Sequence, residues 1–169
     1  MNVLANDGVS KNCVLKLEEN GFRVIQDKVE QEELADYINA ESIEVLLVRS
    51  ATTVRKELID NCPNLKFVGR GGVGMDNIDV EYAKSKGVQV TNTPAASSIS
   101  FAEIVFAHLF SAARSLFKSN RSMPLEGDSK FKQLKKDYAK GIELRGKTIG
   151  IIGFGRIGQE VAKIALGIG

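Results

Sequence analysis

The stretch Lys147-Thr-Ile-Gly-Ile-Ile-Gly-Phe-Gly-Arg-Ile-Gly158 decides the class of fold. It opens with a β-branched, mostly apolar run at 148–152, which is typical of a strand buried on both faces of a parallel sheet. Three glycines follow with G-x-G-x-x-G spacing, at Gly153, Gly155 and Gly158. This spacing allows a tight turn, close approach of a pyrophosphate and close helix–strand packing. Apolar residues then recur on one helical face, at Ile157, Val161, Ile164, Ala165 and Ile168.

Strand, turn and helix together predict a dinucleotide-binding turn, with the positive end of the helix dipole directed at the phosphates. A glycine cluster alone also occurs at purely structural turns, but the strand before it and the helix after it favour dinucleotide binding. The acidic residue that would bind the ribose of NAD is expected about 20 residues further on, beyond Gly169. The sequence therefore leaves open the choice between NAD and NADP.

Length and composition indicate an ordinary globular protein. The 169 residues carry a formal net charge of +2, and their interspersed charges give no sign of a nucleic-acid partner. Cys13 and Cys62 fit neither a metal site nor a disulfide framework, so we expect two free thiols in a reducing compartment. No stretch reaches the roughly 18 apolar residues of a membrane span, and the N-terminus does not resemble a secretion signal. We expect a cytoplasmic protein with no metal and no membrane partner.

Strand and helix patterns alternate along the first part of the chain. Apolar runs predict strands at 3–5, 22–25, 43–48, 65–68 and 88–90. Helical patterns lie between them, at 9–17, 32–38, 54–59 and 80–86. This alternation predicts a parallel sheet with right-handed crossovers. The predicted fold class is α/β: a flavodoxin-like parallel-sheet domain at 1–94, ended by the turn at Pro94, and the start of a Rossmann domain at 95–169.

Two predicted strands end in residues suited to an anion. The third strand runs into Arg49-Ser-Ala-Thr52, and the fourth runs into the glycine-rich residues 69–76. Ligands of such sheets bind beyond the carboxyl ends of the strands, where consecutive backbone N–H groups and a guanidinium both suit a carboxylate or phosphate. Arg49 is either an anion ligand or an ordinary surface arginine. For Arg70 a structural role is favoured.

A long apolar helix is predicted to follow Pro94. Ser100-x-x-Glu103 has the capping-box pattern, and the helix is apolar on nearly every side to about Phe117. Such a helix should be buried all round, between the two domains or against a second subunit. Its histidine, His108, is expected to be a packed residue rather than a catalyst. Residues 119–144 show no clear period and predict a solvated connector, or an extended arm that contacts a partner subunit.

Four ordered motifs carry a resemblance along essentially the whole chain. They are Val48-Arg-Ser-Ala-Thr52, Gly69-Arg-Gly-Gly-Val-Gly-Met-Asp-Asn-Ile-Asp79, Asn92-Thr-Pro94 and Gly153-Phe-Gly-Arg-Ile-Gly158. In this order they resemble the D-isomer-specific 2-hydroxyacid dehydrogenases, and the first motif is most similar to the phosphoglycerate branch of that family. The resemblance implies NAD-linked oxidation of the C2 hydroxyl of D-3-phosphoglycerate to the 2-oxo acid, in serine biosynthesis.

The resemblance also implies roles for residues that bind the small anionic substrate. Arg49 and Ser50 would lie at the substrate, with the arginine near its phosphate. Backbone groups of Gly72, Val73 and Gly74 would meet the substrate carboxylate.

The cofactor and partner that the resemblance implies are NAD and a second copy of the chain. Val73 matches a position that borders the cofactor, and residues of the glycine turn match positions that hold the NAD phosphates: Gly153, Gly155, Arg156, Ile157 and Gly158. A homodimer would form through the helix at 97–117 and the arm that follows it.

The chain departs from the family pattern where the second strand of the cofactor domain should begin. The family's catalytic arginine, glutamate and histidine are expected beyond Gly169, so no catalytic residue is assigned here and we expect the chain alone to be inactive. A dehydrogenase or reductase of another D-2-hydroxy acid remains an alternative. So does a non-catalytic fragment that binds an anion or dimerises. A nucleic-acid binder is disfavoured, because no concentrated basic face with interleaved aromatic residues is present.

Overall fold

Two units make up the chain in the computed structural model, which describes residues 1–169. The first unit is Met1–Ala96 and the second is Ser97–Gly169. The division falls close to Pro94, where a turn was predicted.

A five-stranded parallel sheet forms the centre of the first unit. In chain order the strands are β1 (Asn2–Ala5), β2 (Arg23–Ile25), β3 (Ile43–Val48), β4 (Phe67–Arg70) and β5 (Gln89–Asn92). They lie side by side in the order β2-β1-β3-β4-β5, and every neighbouring pair is parallel. This confirms the predicted α/β fold class. It also brings the carboxyl ends of all five strands to one edge.

Four helices connect these strands: α1 (Lys11–Glu19), α2 (Leu34–Ala40), α3 (Lys56–Asn61) and α4 (Val80–Ser85). The Ser10 hydroxyl caps α1 by accepting a hydrogen bond from the Cys13 amide at 3.2 Å. Gly21 follows α1 and Gly87 follows α4, and both have φ of +81°, a backbone conformation that glycine adopts without strain. Both glycines were predicted as end signals, and both predictions are confirmed.

The core of the first unit lies between the sheet and the helices α2, α3 and α4. Its most buried side chains alternate along the strands and line the inner faces of the helices. They include Leu4, Leu34, Ile38, Ile43, Leu46, Val54 and Val68. The sheet and its crossover helices therefore hold the strand ends, and the loops that follow them, in fixed positions.

The predicted bounds of β4 were wrong by two residues. Leu65 is buried, as a strand residue would be, but it lies in the turn after α3, where its amide donates to the Cys62 carbonyl at 3.1 Å. The apolar run in the sequence therefore begins before the strand itself, because it includes this buried turn residue. The ladder with β3 begins at Phe67.

The second unit consists of three helices: α5 (Ser98–Ala113), α6 (Leu116–Tyr138) and α7 (Arg156–Ile168). Helices α5 and α7 pack together around Ala102, Phe106 and Val161. The strand predicted at 148–152 is absent, and the Ile152 side chain is fully exposed. A strand needs a hydrogen-bonded neighbour, and the second unit contains no other strand.

Helix α5 differs from its prediction at both ends. It begins at Ser98 after Ser97, and no side chain caps it, so the capping box predicted at Ser100 is wrong. It ends at Ala113, because Ser115 has φ of +52°. Within the single chain the helix buries one face and exposes several large apolar side chains: Ile99, Phe101, Ile104, Val105 and Phe110. Burial of these side chains between the two domains or against a second subunit stays a prediction. His108 is exposed rather than packed.

The predicted connector after α5 is instead the helix α6. The kink at Lys130 and the proline at Pro124 interrupt its geometry, which explains why the sequence shows no clear period. Side-chain pairs at i, i+4 spacing support it, including Lys130 with Glu126 at 3.3 Å. No single helix of the chain is long and apolar enough to cross a membrane, and only the pair α5 and α6, bent by 56°, meets that criterion together.

Candidate functional site

The loops at the carboxyl edge of the sheet surround a cavity of about 740 Å³. Its floor is apolar and includes Leu47 and Phe67 on adjacent strands, while Arg49, Arg70 and Asp7 line it with charged groups. A second hollow of about 550 Å³ lies beside it and is lined by Arg49, Ser50 and Lys28 among others. Two loops form most of the polar surface here. We call residues 49–52 the arginine loop and residues 71–76 the glycine loop.

Asp7, two residues after β1, holds the arginine loop. Its carboxylate accepts hydrogen bonds from the Arg49 amide at 2.6 Å, the Thr52 amide at 3.1 Å and the Thr52 hydroxyl at 2.7 Å. Lys28 Nζ lies 3.0 Å from the same carboxylate, which is only 3% exposed. Burial alone would raise the pKa of Asp7, but the hydrogen bonds outweigh it and lower the pKa to about 2. Asp7 is therefore a buried carboxylate that stays ionised.

The Arg49 side chain is free to bind a ligand. Its backbone is bonded on both sides, yet its guanidinium makes no hydrogen bond or ion pair in the chain, and the residue is exposed. Ser50 is also exposed. A Cβ at Gly71 would lie 3.5 Å from Arg49 Cγ, so the arginine stem lies against the glycine loop. The structure thus brings together the two loops that the sequence pointed to.

The glycine loop is fixed at its start and has free amides after that. The Gly72 amide donates to the Thr93 hydroxyl at 2.9 Å and to the Arg70 carbonyl at 3.0 Å. Asn92 Nδ2 donates to the Val73 carbonyl at 2.6 Å. The amides of Val73 and Gly74 donate to no acceptor within the chain. Of the three predicted carboxylate-binding residues, Val73 and Gly74 therefore offer free N–H groups, while that of Gly72 is engaged.

Asn77 joins the two loops. Its Nδ2 donates to the carbonyls of Arg49 and Thr52, at 2.8 and 2.7 Å. Its Oδ1 accepts a hydrogen bond from Arg70 Nε at 2.9 Å. Arg70 thus has the structural role that the sequence favoured.

Sequence reasoning missed both Asp7 and Asn77. Asp7 was not singled out in the sequence, and Asn77 appeared only within the motif at 69–79. The available signal for Asp7 was its place at the carboxyl end of a buried strand, where charged side chains of parallel sheets converge.

The glycine turn of the second unit has the shape that dinucleotide phosphates require. Gly153 has φ of +91°, and a Cβ at Gly158 would overlap the Gly153 carbonyl oxygen. Gly155 precedes the first residue of α7, and its Cβ position has no atom within 4 Å. Open space thus lies in front of a helix N-terminus whose first amides are free, and such a terminus favours a phosphate. The turn therefore fits a phosphate group, with Arg156 and Ile157 as the first helical residues.

A family match agrees with both sets of residues. Residues 3–154 match the family described as "D-isomer specific 2-hydroxyacid dehydrogenase, catalytic domain". The chain belongs to this family. Among relatives, the hydroxypyruvate reductase of Thermotoga maritima is 43% identical over 168 residues, which are 99% of this chain and 52% of the relative. The D-3-phosphoglycerate dehydrogenase of Methanocaldococcus jannaschii is 42% identical over 99% of this chain and 30% of its own length.

Solved structures of dehydrogenases and reductases share the fold of this family member. An NAD+-bound 3-phosphoglycerate dehydrogenase of Entamoeba histolytica has a TM-score of 0.73 and 28% identity, over 100% of this chain and 51% of its own. An acyclic imino acid reductase, Bsp5, in complex with NADPH and D-Arg, has a TM-score of 0.78 and 30% identity, over 99% of this chain and 53% of its own. The chain spans about half the length of these proteins, or less.

Proposed function

We propose that this chain is the N-terminal part of an enzyme that oxidises the C2 hydroxyl of D-3-phosphoglycerate to the 2-oxo acid, a reaction that leads to serine. The observation that carries this proposal is the free guanidinium of Arg49 beside the free amides of the glycine loop. A substrate with a phosphate at one end and a carboxylate at the other needs two such anion sites on adjacent loops. The 42% identical archaeal relative, a D-3-phosphoglycerate dehydrogenase, supports it.

Each group of the substrate then has a partner in the first unit, which we propose as the substrate-binding domain at 1–94. Arg49 binds the phosphate through its planar fork, and Ser50 lies in the same loop. The amides of Val73 and Gly74 bind the carboxylate, while Gly72 keeps the loop in place through Thr93. Charge-assisted hydrogen bonds from both loops orient the C2 hydroxyl.

We propose NAD as the cofactor of the second unit, the start of the cofactor domain at 95–169. The glycine turn would hold its phosphates, at Gly153, Gly155, Arg156, Ile157 and Gly158, and Val73 is proposed as a further cofactor-binding residue. When bound, the nicotinamide ring accepts the hydride from C2. No residue of this chain is assigned as the base that takes the hydroxyl proton, so we expect the chain alone to be inactive.

The assembly and compartment are proposals of the same kind. The apolar residues that α5 exposes, including Phe101 and Ile104, suit a homodimer through the helix at 97–117 and the segment after it. Cys13 and Cys62 are both free thiols, as in a protein of the reducing cytoplasm.

A second candidate is a reductase of an unphosphorylated 2-oxo acid. The 43% identical relative, named hydroxypyruvate reductase, favours it. The two candidates differ in whether Arg49 meets a phosphate.

Steady-state kinetics of the complete protein separate these candidates. We expect nicotinamide reduction with D-3-phosphoglycerate, and we expect Arg49→Ala to lower kcat/KM for it about 10- to 100-fold, as the loss of a charged hydrogen-bonded pair does. With D-glycerate, which has no phosphate, the kcat/KM of Arg49→Ala should stay close to the wild-type value. Arg23→Ala, which removes an exposed arginine paired with Glu41 near the amino end of β2, is the matched control. Turnover of D-glycerate without turnover of D-3-phosphoglycerate would favour the second candidate, and parallel assays with NAD+ and NADP+ test the cofactor.

A further inference from the structure

The arginine loop is closed by side chains rather than by a backbone ladder. Asp7 accepts from the amides of Arg49 and Thr52, and Asn77 donates to the carbonyls of the same two residues. The polar backbone groups at both ends of the loop thus depend on two side chains that come from different parts of the sheet edge. Because the Arg49 guanidinium makes no hydrogen bond or ion pair within the chain, its position depends on this backbone.

The Asn77 side chain makes three of the four hydrogen bonds that an amide group can make. Both hydrogens of its amide are directed at carbonyls of the arginine loop, and its oxygen accepts from Arg70 Nε at 2.9 Å. The side chain is buried, with the residue 6% exposed. These three bonds fix the orientation of the amide, since the reverse orientation would place its oxygen against two carbonyl oxygens.

Arg70 continues the connection into the glycine loop. Its side chain is 12% exposed, and its guanidinium lies beneath the loop. A Cβ at Gly72 would lie 3.2 Å from Arg70 Cζ, and one at Gly74 would lie 3.9 Å from Arg70 Nη1. The path from one anion-binding loop to the other is therefore the arginine loop, Asn77, Arg70 and the glycine loop.

A separate backbone contact holds the segment around Asn77. The Val54 amide donates to the Asn77 carbonyl at 2.8 Å, and the Asp79 amide donates to the Val54 carbonyl at 2.9 Å. These bonds do not involve the Asn77 side chain. Removal of that side chain should thus leave the fold of the segment in place.

We propose that Asn77 is a positioning residue that couples the arginine loop to the glycine loop, so that the two anion sites keep the spacing of one substrate. This inference rests on the proposed function for the identity of the ligand, but not for the coupling itself. Without the Asn77 amide, the carbonyls of Arg49 and Thr52 lose their partners and Arg70 loses its acceptor. Both loops then become mobile, although neither loses a residue that touches the substrate.

Hydrogen exchange of the 169-residue chain tests the coupling directly. In Asn77→Ala we expect at least tenfold faster exchange of the Arg49 and Thr52 amides in one loop and of the Gly71 and Gly72 amides in the other. Asn2→Ala is the matched control, because Asn2 Nδ2 donates to the carbonyls of Glu41 and Ser42 at the amino end of β1. It should leave both loops unchanged. Faster exchange in only one loop, or in neither, would overturn the proposal.

A second variant keeps the test valid if Asn77→Ala fails to fold. Arg70→Lys retains the charge but loses the Nε donor to Asn77. Amide hydrogen exchange should therefore become faster in the glycine loop, and to a smaller extent in the arginine loop. Exchange that stays at the wild-type rate in the glycine loop would contradict the role of Arg70.

Ligand binding links the coupling to the substrate. By NMR titration of the chain with D-3-phosphoglycerate, we expect about tenfold weaker binding in Asn77→Ala. When Asn77→Ala is added to Arg49→Ala the further loss should be smaller, because only the glycine loop then still binds the ligand. A full additional loss in the double variant would show that Asn77 does not act through Arg49. If Arg49→Ala itself left the affinity unchanged, the proposed function would fail, while the exchange result would still decide the coupling.

Discussion

At Asp7 a single carboxylate replaces the hydrogen bonds that a loop usually makes to water. Four donors surround it, from the backbone of Arg49, from the backbone and hydroxyl of Thr52 and from Lys28. Protonation would turn an acceptor of four bonds into a donor facing donors. The charge of Asp7 and the conformation of the arginine loop are thus linked.

This link predicts how stability depends on pH. Because the pKa of Asp7 is lowered from 3.8 to about 2 in the folded chain, its stabilisation is fully present above about pH 4 and is lost as the pH falls toward 2. The shift corresponds to about 2 kcal/mol in the free energy of unfolding. In urea unfolding, Asp7→Asn should be destabilised by about this amount at pH 7, and the difference should shrink below pH 4. Glu32→Gln, at an exposed carboxylate without an ion pair, should match the wild type. If the difference in free energy of unfolding between Asp7→Asn and the wild type stayed constant down to pH 2.5, the lowered pKa of Asp7 would be wrong.

The two thiols should differ in reactivity. Burial first, and then the negative charge of Asp36, raise the pKa of Cys62 to about 11, and the residue is 2% exposed. Cys13 is half-buried and lines the cavity at the sheet edge. Since the thiolate is the reacting species, we expect iodoacetamide to modify Cys13 at least about tenfold faster than Cys62 in the native chain. Mass spectrometry of timed samples measures both rates, and urea-unfolded chain, in which the rates should converge, is the control. Equal modification rates of the two thiols in the native chain would show that the carboxyl end of α3, where Cys62 lies, opens readily to solvent.

The glycine turn before α7 offers a matched pair of substitutions. At Gly158 an added methyl would overlap a backbone carbonyl, which cannot rotate away, whereas at Gly155 it would enter open space. We expect Gly158→Ala to destabilise the chain by about 1–3 kcal/mol and to loosen the packing of α7. Gly155→Ala should fold normally but weaken NAD binding in the complete protein, because the methyl occupies the space in front of the helix amides.

Thermal unfolding by circular dichroism and NAD titration by fluorescence measure the two effects separately. If Gly155→Ala bound NAD as tightly as the wild type, the proposed phosphate site would be wrong. If Gly158→Ala unfolded at the wild-type temperature, the turn would be less tightly packed than the structure shows.

Elements whose signals are local were predictable from the sequence. The bounds of β3 were predicted as found, because five of its six residues are apolar and the polar residues Ser42 and Arg49 flank them. The strand at 148–152 has a similar run, but a ladder needs a second strand that the run itself does not contain. Helix α6 was missed although it forms. Pro124 and the kink at Lys130 interrupt the helical period of its apolar residues, but the backbone on either side is helical.

The candidate site was predictable to the same degree. Arg49 and the glycine loop follow strands, and parallel topology alone brings them to one edge. Asp7 and Asn77 were missed because their bonds to Thr52 join residues 45 and 25 positions apart. Such pairings follow from the strand order, which a single sequence does not reveal.

The two units bury apolar surface to different extents. In the first unit, the sheet and three helices enclose a core of fully buried aliphatic side chains. In the second unit, the buried cluster is small, and α5 and α6 expose large apolar residues such as Phe101, Ile104, Phe117 and Leu125. Large exposed apolar side chains on neighbouring helices suit a contact with another protein surface. The second unit should therefore dominate the association behaviour of the molecule.

We predict that the chain associates with itself through the exposed face of α5. Burial of a large apolar side chain contributes about 1.5–3 kcal/mol, so a double substitution, Phe101→Glu with Ile104→Glu, should weaken a dimer by about 100-fold or more. Sedimentation velocity across a range of protein concentrations measures this shift. Leu15→Glu, at an exposed leucine of α1 in the first unit, is the matched control and should leave association unchanged. A chain that sediments as a monomer at every concentration, or a control that dissociates it equally, would place the apolar face of α5 outside any contact between copies.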